Sequence, residues 1–118
     1  MYIKGVGMTN FGTQSATCSE LVYEATLEAL NDSDLSINDI ECVVVSTADS
    51  ESNGERQRLF TGVLSSIFQK KLPIINPTAV CGGGGVALWT ANKLEYKNIL
   101  VTGVEKLATN NSVMITDE

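Results

Sequence analysis

Ile40 to Ser46 reads I-E-C-V-V-V-S, and no other stretch of the chain restricts the fold as strongly. Its apolar, β-branched residues run on without alternation, which suits a strand covered on both faces. Such a strand needs a helix layer on each side of its sheet, and the flanking sequence has helical spacing. From residue 15 to 30 the apolar positions Cys18, Leu21, Val22, Ala25 and Ala29 recur at i, i+3, i+4, i+7 and i+11. That is one face of an amphipathic helix. Ser15 or Thr17 would cap its start, and Asn31-Asp32-Ser33 stops it. Ser36 and Asp39 fall in a short connector.

The alternation continues along the chain. Residues 47–57 are polar and read as a loop. Helical spacing resumes over 58–70, with Leu59, Phe60, Val63, Leu64 and Ile67 facing inward. Pro73 to Val80 reads as a strand with Pro73 at its start and Pro77 near a bend. Val86 to Tyr96 is the third helix, and Asn98 to Val104 (N-I-L-V-T-G-V) is another buried strand. Tyr2 to Met8 reads as a first strand broken by Gly5 and Gly7, and the tail from Leu107 is polar and loop-like. Strands separated by helices imply right-handed crossovers and a mainly parallel sheet with helices on both faces. The class is α/β, as one domain over residues 1–118.

Composition removes several function classes. Eight basic and fourteen acidic residues give a net charge of −6, against nucleic-acid binding, which needs clustered cations on phosphate. Three cysteines without close pairing argue against a secreted disulfide framework. With no histidine and no Cys-x-x-Cys, a metal site is unsupported. The first residues lack the apolar core of a signal peptide, and no apolar run is long enough for a membrane span. The expectation is a soluble protein of a reducing, cytoplasmic compartment.

Chemistry concentrates at residues 77–89, P-T-A-V-C-G-G-G-G-V-A-L-W. Cys81 falls at the carboxyl end of an expected strand, where α/β sheets place ligand sites. It also precedes a helix whose free N–H groups and dipole favour an anion, so a thiolate nucleophile would suit the position. Each glycine inside a helix costs about 1 kcal/mol relative to alanine, so a run of them suggests close approach to the backbone. Other readings stand beside this one. The glycines would equally permit close helix–sheet packing, or a loop cradling phosphate, although no Gly-Lys-Ser/Thr follows. Gly5, Gly7 and Gly12 have the wrong spacing for a dinucleotide fingerprint. Cys18, on a helix face, and Cys42, in a strand, read as core residues.

Five segments in order carry a resemblance: I-K-G-V-G-M-T-N-F-G, S-E-L-V-Y-E-A-T-L-E-A-L, I-E-C-V-V-V-S, N-P-T-A-V-C-G-G-G-G-V-A-L-W-T-A-N-K-L and N-I-L-V-T-G-V-E-K-L. Together they resemble the N-terminal part of a thiolase, nearest the archaeal and sterol-carrier-type acetyl-CoA acetyltransferases. The resemblance implies acyl transfer between coenzyme A thioesters, with acyl-CoA as substrate and no further cofactor. It gives Cys81 the role of acyl-accepting nucleophile, with its backbone N–H as a possible oxyanion donor. Gly82 and Gly83 would offer backbone to the substrate. Gly103 and Glu105 match the Gly-x-Glu ending the fourth strand, where the glutamate is commonly structural.

Two departures qualify it. Thiolases usually place a small residue and then Ser-Gly after the cysteine, where this chain has Gly82-Gly83-Gly84. They also draw two histidines and a second cysteine from segments that have no counterpart here. Three readings follow. The chain is the nucleophile-bearing part of a split or truncated thiolase, whose partner chain or missing C-terminal half supplies histidines and a second cysteine, or a non-catalytic assembly module, or a free-standing anion-binding α/β domain. The third helix, apolar at Val86, Ala87, Leu88, Trp89, Ala91 and Leu94, reads as buried all round. The isolated chain is therefore expected to form a homo-oligomer or to bind that partner.

Overall fold

A computed structural model describes residues 1–13, 15–48 and 60–106. Helix α1 spans Cys18–Ser33. Thr17 is its N-cap, its Oγ1 accepting the Glu20 N–H at 3.2 Å. Asp34 ends it in the left-handed conformation, φ 60°, its N–H turned back onto the last carbonyls. A single 3-10 turn at Ile37–Asp39 leads into strand β1, Cys42–Ser46. The Lys70 ammonium donates to the carbonyls of Asn38 and Ile40 at 2.9 and 2.8 Å, closing the end of that turn. Helix α2 (Phe60–Phe68), strand β2 (Ile74–Ile75), a 3-10 turn at Val80–Gly82, helix α3 (Gly83–Lys93) and strand β3 (Ile99–Gly103) complete the order.

The strands form one parallel sheet in the order β2-β1-β3. β1 is central, paired through Val43 with Ile74 and through Val44 with Val101. All five of its residues are buried, as its uninterrupted apolar run requires. Strand periodicity divides them between two layers. Val43 and Val45 pack against Cys18 and Val22 of α1 and Leu64 and Phe68 of α2. Cys42 and Val44 pack against Ala87 and Ala91 of α3. Helices thus cover both faces, as the α/β reading expects.

Four expectations need correction. Residues 2–8 form no strand. Gly5 and Gly7 instead bring this backbone directly onto α1, where a Cβ at Gly5 would stand 2.7 Å from the Ala29 carbonyl oxygen. Val6 N–H donates to Asp32 Oδ2 at 2.9 Å, so its donor goes to the helix rather than to a ladder. The strand expected over 73–80 shrinks to Ile74–Ile75, since Pro77 has no N–H for a ladder and restrains Asn76 before it.

The third helix begins at Gly83 and is not buried all round: Gly83, Ala87 and Ala91 face the sheet, while Leu88 and Trp89 are 44% and 63% exposed. In α2 the buried residues include Phe68, which the spacing argument omits, beside Leu64. Leu59, most of the expected loop over 47–57 and the tail from Leu107 lie outside the described residues, as do the Phe60 and Val63 side chains.

Candidate functional site

Two contacts fix the position of Cys81. Gly83 opens α3, and a Cβ built on it would fall onto Ser46 Oγ, the side chain of the last residue of β1. The helix therefore starts against the carboxyl end of the central strand, with Cys81 in the turn just ahead of it. A second tie closes the same end of the sheet. Glu105, after β3, accepts the backbone N–H of Ala48, after β1, and Val104 N–H donates to the Ser46 carbonyl at 3.0 Å. Glu105 is thus structural, joining the ends of neighbouring parallel strands at the edge of the site.

The turn itself is strained. Val80 has φ 46°, a left-handed conformation that a β-branched residue adopts only under constraint, at about 1–3 kcal/mol. Gly82 N–H donates to the Ala79 carbonyl at 2.8 Å, and Gly83 N–H to the Val80 carbonyl, so the turn winds straight into α3. Val80 and Cys81 are both exposed. The result is a thiol held on a tight bend, open to solvent, at the amino end of a helix and the carboxyl end of a parallel sheet. Such a thiol has access for an incoming carbonyl, and the first helical N–H groups lie close by to favour negative charge.

The other two cysteines differ sharply. Cys18 and Cys42 are fully buried, one in each core layer. Burial pushes the Cys42 thiol up from its ordinary value, against a weaker opposing effect of its contact with the Val43 carbonyl. Both read as packing residues, as the spacing expects.

The four glycines separate into two kinds. Gly83 alone is pressed against a neighbour; a Cβ at Gly82, Gly84 or Gly85 would meet nothing within 4 Å. Close helix–sheet packing therefore accounts for one glycine of the run. Gly82 is exposed beside Cys81, whereas Gly83 is buried and turned to Ser46. Sequence reasoning missed Ser46 and Val80. Ser46 carried a signal, as the only polar residue closing a valine run; Val80 carried none, because its side chain suggests extended backbone.

Among the described residues there is no group of three or more His, Cys, Asp or Glu side chains able to hold a metal ion. No helix among them is long and apolar enough to cross a membrane. A groove of about 1280 Å³ lies away from Cys81, between β3 and residues 1–13.

No protein-family model matches the chain. Over 114 residues it is 30% identical to the β-ketoacyl-[acyl-carrier-protein] synthase III of Staphylococcus aureus (strain Newman), covering 88% of this chain and 34% of that protein. Over 112 residues it is 28% identical to the enzyme of the same description from Staphylococcus haemolyticus (strain JCSC1435), with the same coverage. Among solved structures, the 3-oxoacyl-[acyl-carrier-protein] synthase III of Aquifex aeolicus VF5 superposes with a TM-score of 0.70 at 22% identity. That match covers 86% of this chain and 35% of the other. The chain spans about a third of the length of the curated relatives it matches, 34% in each case above. Its fold is that of part of a thiolase-like α/β unit.

Proposed function

We propose that this chain is the nucleophile-bearing part of a thiolase-like condensing enzyme, taking an acyl group onto Cys81. The observation that carries this reading is the exposed Cys81 thiol on its strained turn, ahead of α3 and at the carboxyl end of the sheet. In the step, the Cys81 sulfur attacks the carbonyl carbon of an acyl thioester, and the carbon–sulfur bond to the carrier breaks. The thiol proton of Cys81 passes to the departing carrier sulfur, leaving an S-acyl cysteine and a free carrier thiol. The transient oxyanion would be favoured by N–H groups at the turn, those of Cys81 and Gly82 being the nearest in sequence.

Two carriers fit, and they are separable. Resemblance to acetyl-CoA acetyltransferases favours an acyl-CoA donor, whereas the names of the synthase relatives bring in acyl carrier protein. The shared chemistry is a thioester of a phosphopantetheine-type thiol. Because these 118 residues contain no histidine, the base for the full reaction would come from a partner polypeptide or from a missing C-terminal half.

The test incubates the chain with acetyl-CoA or acetyl-acyl carrier protein and maps adducts by mass spectrometry. A slow acetyl adduct on Cys81, absent in Cys81→Ala, is the expected result. Adducts on Cys18 or Cys42, or none with either donor over long incubation, would overturn it. A second reading, a non-catalytic assembly module, is favoured by the absence of histidine and predicts no adduct at all.

A further inference from the structure

Gly83 carries two constraints at once. On one side it is pressed against Ser46, whose Oγ fills the place of a Cβ. On the other, its N–H donates to the Val80 carbonyl. Val80 is the residue held at φ 46°. Its carbonyl and the Cys81 N–H belong to one planar trans peptide unit, so whatever aims the one aims the other. Ser46, Gly83, Val80 and Cys81 thus form one short mechanical series.

The series begins at a fixed post. Ser46 closes β1, is only 6% exposed, and sits in register with Gly103 of β3. Its carbonyl accepts the Val104 N–H at 3.0 Å, so two parallel strands hold its backbone. A change at the contact therefore moves the start of α3 rather than the strand. The far end of the series is the strained one. The Val80 side chain is 60% exposed, so packing around it does not impose the left-handed conformation. The constraint lies in the backbone, where Gly82 and Gly83 N–H groups bond the Ala79 and Val80 carbonyls. Both bonds depend on where α3 starts, and such strain persists only where its surroundings fix it.

We propose that Ser46 is a positioning residue for Cys81: its side chain, acting through Gly83, aims the Cys81 N–H and holds the thiol on its bend. The inference rests on the reading of Cys81 as the acyl-accepting nucleophile and adds what orients it. Ser46 itself does not touch the acyl group. Aim matters in acyl transfer, where negative charge builds on the thioester oxygen beside the Cys81 N–H. It does not matter in alkylation by iodoacetamide, where the sulfur displaces iodide and no oxyanion forms.

The test compares those two reactions at Cys81 in the 118-residue chain, by mass spectrometry. The acyl donor is whichever of acetyl-CoA and acetyl-acyl carrier protein acylates the parent. Ser46→Ala, which removes the stop, should slow acylation at least about threefold, and Gly83→Ala, which overfills it, at least about tenfold. The double variant exchanges one for the other. With the serine oxygen gone, the new Cβ at position 83 meets only the Cβ of residue 46, at 3.4 Å, an ordinary contact. Its acylation rate should return to within about twofold of the parent, as a volume-conserving swap allows. Alkylation of Cys81 should stay within about twofold throughout.

Free labelling of Cys18 and Cys42 would mark Gly83→Ala as unfolded, and Ser46→Ala and the double variant then decide. Acylation that ignores Ser46→Ala overturns the inference, and so does a double variant slower than Ser46→Ala. Alkylation that falls in step with acylation also overturns it, since the contact would then govern exposure and not aim. All three results leave the nucleophile assignment standing. A parent chain that neither donor acylates overturns that assignment, and this inference falls with it.

Discussion

Ser46 Oγ occupies the space that a Cβ on Gly83 would need, and this single contact seats the amino end of α3 on the central strand. Gly83→Ala should therefore be costly, because the helix must lift or the serine must turn inside a packed layer. A loss of about 1–3 kcal/mol is expected from such overpacking. Gly84→Ala and Gly85→Ala, facing open space, should instead raise stability by about 0.4–1 kcal/mol through a less mobile unfolded chain. Urea denaturation midpoints with unchanged slopes provide the measurement. A neutral Gly83→Ala would remove the contact from the account of the site.

The cysteines should separate by rate. Cys81 is exposed, while Cys18 and Cys42 are fully buried and react only when the core opens. Iodoacetamide at neutral pH, followed by peptide mapping, should label Cys81 at least about a hundredfold faster than either. Comparable labelling of Cys18 would show that the helix packing around it is loose and would weaken the assignment of the nucleophile.

Cys42 gives a pH dependence whose direction follows from its burial. Its pKa is raised in the folded chain above the ordinary 9.0, so the folded state holds the proton after the unfolded state has released it. Stability from this group is complete below pH 9.0 and declines as pH rises from there toward the folded pKa. Cys42→Ala should lower stability at neutral pH through the lost packing, yet show a shallower decline above pH 9 than the parent. Parallel declines in thermal melts across pH 8 to 11 would refute the link.

Thr26 offers a substitution of nearly constant shape. Its buried hydroxyl has no partner among the described residues, so Thr26→Val should stabilise the chain by about 1–2 kcal/mol by removing an unpaired polar group. The readout is again the denaturation midpoint of the isolated chain. A loss of stability would mean that the hydroxyl is satisfied in solution.

The parts of the fold visible in the sequence are those governed by burial on both sides. The valines of β1 and the helical spacing of α1 admit few alternatives, since each residue pattern matches one geometry. Cys81 was legible for a related reason: a strand, a turn and a helix in succession place a residue at a predictable end of the sheet. What the sequence concealed depends on neighbours. Tyr2 to Met8 has strand-like residues, but a strand exists only when paired, and its backbone is instead committed to α1 through Gly5, Gly7 and Asp32. Trp89 and Leu88 look like core residues by type, and their exposure follows from which helix face the small residues Gly83, Ala87 and Ala91 turn to the sheet. The left-handed turn at Val80 is set by the geometry joining β2 to α3, and no local propensity announces it.

Trp89 also determines how this protein can be observed. It is the single tryptophan of the chain, it is 63% exposed, and the Lys93 ammonium lies 5.5 Å from its ring centroid. Its indole is already largely hydrated in the native state, so its emission should change little in colour when the chain unfolds. Covering the outer face of α3 would instead dehydrate the ring and shift its emission to the blue. The native fluorescence of this protein is thus a poor thermometer for folding and a sensitive optical gauge of assembly, available without any attached dye.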